Sequence, residues 1–234
     1  MNGYSYYHLK YLFLQDRPLD ENVFDKCIKE VSKQFLGVNI PKHLLPYYEP
    51  LVMIKTGTSG YMFDWWFTKP NSFQNFYPSG VVKTRLLQYY ATKLKSVELN
   101  STFYKLPEAS TIQKWYDTTP SDFSFVIKMS KFATHDKKLI DFADNFKHFY
   151  NGRVDILKEK CFGILIQMPP TFKNTTIKSK VDGLYPLERI KKVGLKLKDM
   201  DIPQLFIEFR DISWFNDDQV IDVLKVIMKS LWYL

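Results

Sequence analysis

The sequence predicts an α/β fold, about five parallel strand–helix units of the kind that build a TIM-type barrel, behind an N-terminal extension. Three observations predict it. From residue 51 onward, short apolar runs rich in Val, Ile, Leu and Phe alternate with segments of helical period. Within the runs, apolar residues hold one parity and a polar residue holds the other, at or near the C-terminal end. The chain has 234 residues, 45% of them hydrophobic and 25% charged, which suits one globular domain with a sizeable core.

The elements follow in order. Residues 1–50 read as an extension: a helix over Asp25–Leu36, ended by Gly37, then an irregular arm punctuated by Pro41, Pro46 and Pro50. The barrel-type domain spans 51–234. Its strand candidates are Leu51–Thr56, Ser96–Leu99, Phe123–Lys128, Phe162–Met168 and Leu205–Phe209. Its helix candidates are Val82–Leu94, Glu108–Tyr116, Lys138–Tyr150, Pro186–Lys198 and Asp217–Leu231, the last with Asn216 as N-cap. Strand–helix alternation implies parallel pairing through right-handed crossovers.

Composition excludes several classes. No window approaches the roughly 18 apolar residues of a membrane span. Met1–Leu12 lacks the features of a signal peptide. Two cysteines, Cys27 and Cys161, form no disulfide framework and suit a reducing, cytoplasmic compartment. Net charge is +8. The densest basic run, Lys173–Lys198, reads either as a solvated face or as an electrostatic footprint for nucleic acid.

Strand parity is the most informative feature. Val97 and Leu99 oppose Glu98 and Asn100; Phe125 and Ile127 oppose Lys128; Ile164 and Ile166 oppose Gln167; Leu205, Ile207 and Phe209 oppose Glu208 and Arg210. Charges are costly inside unless paired. Several strands placing them at one height reads as a polar pocket at a barrel's C-terminal rim, with a salt-bridge network as the alternative.

The residue types suggest chemistry. Glu98 and Glu208 are a candidate general acid/base pair, unless Lys128 and Arg210 simply neutralise them. Lys128 and Arg210 suit an anionic ligand. The turn Gly57-Thr58-Ser59-Gly60 offers backbone N–H groups to an anion, or merely turns sharply. His135 reads as a base, a metal ligand or an ordinary loop histidine. No His-x-x-His or similar spacing supports a metal centre. Trp65, Trp66, Phe67, Phe73, Phe76 and Tyr77 form core or a stacking wall, which Trp214 would join.

The same segments resemble a family. Gly57-Thr58-Ser59-Gly60, Phe76-Tyr77-Pro78 and Val97-Glu98-Leu99-Asn100-Ser101-Thr102-Phe103-Tyr104 open its signature. Trp115, Thr119-Pro120, Phe125-Val126-Ile127-Lys128, Thr134-His135, Gln167-Met168-Pro169-Pro170, Glu208-Phe209-Arg210 and Ser213-Trp214-Phe215 continue it in order. This ordered set resembles the YecE-like family, also called domain of unknown function 72. The resemblance implies a TIM-type barrel and supplies no settled activity, cofactor or substrate. Tyr61 stands where the family usually has Trp. Set beside the family pattern, the last third of the domain is missing, so the resemblance implies a partial barrel.

The expected function is a hydrolase acting on a phosphate-bearing or nucleotide-like ligand. Catalytic candidates are Glu98, Glu208 and His135; ligand-binding candidates are Gly57, Ser59, Asn100, Lys128, Gln167, Arg210 and Trp214. The alternatives are a non-catalytic nucleic-acid-binding protein and a degenerate, inactive copy. An open barrel also leaves the fifth strand's edge to be covered by the extension or by a second chain.

Overall fold

The computed structural model describes residues 55–67, 76–197, 200, 202, 204–217, 219, 220, 223, 224 and 231–233. The extension expected over 1–50, and residues 51–54 of the first expected strand, lie outside the described residues. The chain divides into two compact units, one ending at Ser96 and the other running from Val97 to Leu234.

In the first unit, β1 (Gly57–Thr58) lies beside the residues entering the next strand: Lys95 N and Ser96 N both donate to Thr56 O at 3.1 Å. A Cβ at Gly57 would stand 2.0 Å from the Ser96 carbonyl oxygen, so this approach requires glycine. Helix α1 (Leu86–Lys93) buries Leu86, Leu87, Tyr90 and Ala91. The Tyr90 hydroxyl accepts from Thr58 N at 2.9 Å and donates to Ser96 O at 2.7 Å, which satisfies a polar group inside the core. Trp66 stacks on Tyr90 and packs against Phe76 and Tyr77. Trp66 and Tyr77 are buried. These aromatic rings therefore form core, and Phe73 and the Trp65 side chain lie outside what is described.

The second unit carries a sheet. Its strands are β2 (Ser96–Leu99, from Val97 onward), β3 (Ser124–Lys128), β4 (Cys161–Gln167), β5 (Gln204–Glu208) and β6 (Leu231–Tyr233), in that spatial order. β3–β4, β4–β5 and β5–β6 pair in parallel. Between them run α2 (Ser101–Tyr104), α3 (Ala109–Thr118), α4 (Phe142–Tyr150) and α5 (Pro186–Leu197). The expected parallel α/β alternation is present. The final expected helix is not as predicted: Leu231, read as its end, begins β6, and Asp217 rather than Asn216 caps its start, through Gln219 N to Asp217 Oδ1 at 3.0 Å. The helix expected over Lys138–Tyr150 starts at Phe142, because residues 138–141 turn away from helical geometry.

Period two decides which side chains are core. Val97, Leu99, Phe125, Ile127, Ile164, Ile166, Leu205 and Ile207 are each at most 2% exposed. Each such side chain contributes about 1.5–3 kcal/mol by leaving water. The opposite parity carries Glu98, Lys128, Gln167 and Glu208, with Gln167 registered against Glu208 and Leu165 against Phe206. Gly163 shares that parity and registers with Gln204. Cys161, at the start of β4, is a buried free thiol pushed up to about 12 by burial.

The lysines of the basic run that the structure describes, Lys173, Lys178, Lys180, Lys191, Lys192 and Lys196, are exposed, while Ile190, Val193 and Leu197 are buried. A different lysine is structural. Lys160 is buried, and its ammonium donates to Tyr116 O at 2.5 Å and Thr119 O at 2.7 Å, capping the C-terminal end of α3. Lys160→Met should remove both charge-assisted hydrogen bonds, leaving Tyr116 O only the longer one from Thr119 Oγ1 at 3.4 Å, and cost about 2 kcal/mol in urea unfolding. A cost near zero would mean that water replaces the ammonium. Among the described residues, no helix is long and apolar enough to cross a membrane.

Candidate functional site

The second unit brings the opposite-parity residues together. β2 buries Glu98 between Val97 and Leu99, leaving it 5% exposed. Directly after the strand, the Asn100 side chain hydrogen-bonds the Glu98 carboxylate. β3 ends at Lys128, whose ammonium and the Glu98 carboxyl act on one another, and both feel Glu208. On the neighbouring strands, Gln167 Nε2 donates to Glu208 Oε2 at 2.8 Å, and Arg210 Nε donates to Glu208 Oε1 at 3.2 Å. Glu98, Asn100, Lys128, Gln167, Glu208 and Arg210 thus form one cluster.

The two carboxylates are not equivalent. Each Glu208 oxygen accepts a hydrogen bond, one of them from a guanidinium. Glu98 is deeply buried. Desolvation pushes its carboxyl up to about 7, against the pull of Lys128, and the nearby Glu208 charge adds to the rise. Lys128 is lowered, first by burial and then by the Arg210 charge, with Glu98 and Glu208 opposing. The two glutamates thus differ in surroundings: Glu208 is paired with Arg210, and the Glu98 carboxyl is raised by burial. When Glu98 holds its proton, two cations, Lys128 and Arg210, face one ionised carboxylate.

His135 reaches this cluster from the segment after β3. Residues Phe132–Asp136 form a π-helical turn, with Lys137 N donating to Phe132 O at 2.8 Å. Such turns often carry functional side chains. His135 Nδ1 lies 2.9 Å from Thr134 Oγ1. Its pKa is lowered by burial first, then by the positive charges of Arg210 and Lys128. These surroundings favour the neutral imidazole.

Two residues missed in the sequence complete the arrangement. Phe103 in α2 lies beneath Lys128, with the ammonium 5.1 Å from the ring centroid, and meets the His135 ring edge-on at 4.9 Å. Buried Thr102 donates from one hydroxyl toward both Leu99 O and Lys128 O, each at 2.8 Å, and ties the ends of β2 and β3. Both sit inside the quoted Ser101–Tyr104 motif, but neither strand parity nor charge marks them.

Trp214 does not join the cluster. It is 2% exposed, stacks on Phe209 at 4.2 Å and Phe172 at 5.2 Å, and spends its indole N–H on Phe172 O at 2.6 Å. Trp214 packs with Phe172 and Phe209, in the segments that follow β4 and β5. Gly57 and Ser59 belong to the first unit. There Thr58 N, within the proposed anion nest, is already bonded to Tyr90, and Gly57 has a steric reason of its own. Among the described residues, no group of three or more His, Cys, Asp and Glu side chains could hold a metal ion.

A family model described as "Protein of unknown function DUF72" matches residues 55–231. The chain is 29% identical over 148 residues to the UPF0759 protein YunF of Bacillus subtilis (strain 168), covering 61% of this chain and 48% of the relative. It thus spans about half the length of that curated relative. A crystal structure of a DUF72 family protein from Thermotoga maritima MSB8 superposes with a TM-score of 0.57 at 24% identity, covering 75% of this chain and 62% of that one. A DUF72 family protein from Enterococcus faecalis V583 gives a TM-score of 0.48 at 20% identity, covering 63% of this chain and 52% of that one. The Thermotoga likeness concerns the fold.

Proposed function

This chain belongs to the family described as protein of unknown function DUF72, and from its own side chains we propose that the Glu98–Lys128–Glu208–Arg210 cluster binds a phosphate-bearing anion and hydrolyses it. The observation that carries the reading is Glu98, a buried carboxyl pushed up to about 7 beside Lys128. A carboxyl poised near neutrality can donate a proton that an ordinary glutamate has already lost.

Lys128 and Arg210 neutralise the anion, and Glu208 with Gln167 holds Arg210 in place. Water attacks phosphorus and passes a proton to neutral His135. The phosphorus–oxygen bond to the leaving group breaks, and Glu98 protonates the departing oxygen. Charge stabilisation by the two cations supplies the larger share of such catalysis. Tyr104, 80% exposed and 5.0 Å from Phe103 in ring-to-ring contact, supports a ligand with a flat ring, such as a nucleotide. The two-cysteine composition supports a reducing, cytoplasmic setting.

The test is thermal shift at pH 6.5 with inorganic phosphate, ribose 5-phosphate and adenosine monophosphate. At least one should raise the melting temperature, because a ligand that binds only the folded state stabilises it. Lys128→Met should abolish the shift, and Glu98→Gln should abolish phosphate release while binding persists. A shift that survives Lys128→Met overturns the site. If only oligonucleotides shift the protein, and the effect disappears with salt, the exposed lysines of 173–198 are the binding face instead.

A further inference from the structure

We propose that Arg189, in α5, is a positioning residue that holds His135 in the cluster by clamping the turn on which its π-helical segment closes. The inference builds on the functional reading above only in giving His135 a task.

The turn is unusual. Lys138, Leu139 and Asp141 have φ of +48°, +68° and +52°. None is glycine or asparagine, and left-handed backbone at a bulky residue such as leucine is a genuine outlier. Strain of this kind persists only where the surroundings over-determine it. Two contacts do so here. Leu139, itself buried, donates its N–H to Ala133 O at 2.9 Å, closing the turn onto the His135 segment. Lys138 O accepts from Arg189 Nη1 at 3.0 Å.

Arg189 is set up for this. It is 5% exposed, whereas Lys191, Lys192 and Lys196 on the same helix are in solvent. A buried guanidinium is costly unless its donors are satisfied. Its Nε and Nη2 fork onto Asp182 at 2.9 and 2.7 Å, leaving Nη1 for the turn. Asp182 is fixed in its own loop, where Ser179 N donates to Leu184 O and Gly183 N to Ser179 O, both at 2.9 Å. Burial alone would raise the Asp182 carboxyl, but Arg189 and the Leu184 N–H hold it below the usual range. The loop after β4 thereby dictates the backbone of the loop after β3. A lysine lacks the planar fork and cannot serve Asp182 and the carbonyl together.

The test follows the His135 ring proton by NMR across pH, in the full chain and without any ligand, with the resonance assigned by His135→Gln. The groups acting on His135 are Arg210, Lys128, Lys131 and Asp136, none of which changes in the variants. In the wild type the midpoint should lie below the ordinary histidine value. Arg189→Lys should move it upward by roughly half a unit or more, as the ring leaves its half-buried place among cations. A variant that melts earlier but titrates like the wild type overturns the proposal, since a merely structural arginine would do that. Should Arg189→Lys fail to fold, Asp182→Asn, which keeps the guanidinium and weakens the fork, is read in the same way. Absence of anion binding would leave this result standing, and an unmoved His135 would leave the anion reading standing.

Discussion

Glu98→Gln is expected to raise the melting temperature by roughly 5–10 °C at pH 8 and to leave it unchanged near pH 4, the size following from the usual melting shift per kcal/mol. The Glu98 carboxyl stands at about 7 in the folded chain, against 4.5 as its ordinary value. A raised carboxyl binds its proton more tightly when folded. Its contribution is therefore complete below the unfolded value and is lost as pH rises through 7. Above that, ionised Glu98 costs the fold about 3 kcal/mol. Glutamine mimics the protonated form and never incurs that cost. The measurement is the difference between variant and wild type at each pH, which cancels other titrations. A glutamine variant no more stable than the wild type at pH 8 would mean that Glu98 is comfortable as a carboxylate. It would then be unsuited to donate a proton.

The largest destabilisation is expected at a position with no side chain. A Cβ on Gly163 would lie 2.3 Å from the Phe206 ring and 2.6 Å from the Gln204 carbonyl oxygen. The ring can swing, but the carbonyl belongs to the adjacent strand, which pairs Gly163 with Gln204. Gly163→Ala should cost about 3 kcal/mol, a large effect for one methyl group, because both obstacles sit in a packed interior. Alanine would otherwise help an extended residue by reducing the entropy of the unfolded chain. Phe206→Leu should soften the penalty without removing it, so the double variant should be less damaged than the two single costs added. A Gly163→Ala protein within about 0.5 kcal/mol of wild type in urea unfolding would show that β4 and β5 separate easily here.

The cluster was legible because alternation is a local rule. Glu98 between Val97 and Leu99, and Glu208 between Ile207 and Phe209, can face only away from their apolar neighbours. What separates the two glutamates was not legible, since it depends on partners from other strands. Gln167 and Arg210 reach one of them, and burial isolates the other. The turn at Lys138–Asp141 contains no glycine or asparagine to announce left-handed backbone, so the helix read from Lys138 began too early. Arg189 looks like its exposed lysine neighbours in sequence, and only a tertiary contact distinguishes it. Trp214 follows the fifth strand as a site residue would, yet it is buried and stacked on Phe172 and Phe209, contacts that the sequence does not announce. Leu231 continued a helical period of apolar residues, and pairing with Leu205 on β5 outweighed that pattern.

The buried thiol of Cys161 supplies a clock for the sheet. Thiolate is the reactive form, and burial pushes this thiol up to about 12, so the folded chain offers almost none at pH 8. Covalent labelling by a maleimide must wait until β4 separates from its neighbours. The slow rate of labelling, read by mass on the peptide that contains Cys161, therefore reports how often the strand opens. Gly163→Ala should quicken that clock, because the added methyl group presses on the same strand two residues away. Glu98→Gln at pH 8 should slow it. One reagent would then rank the variants of this fold without a denaturant.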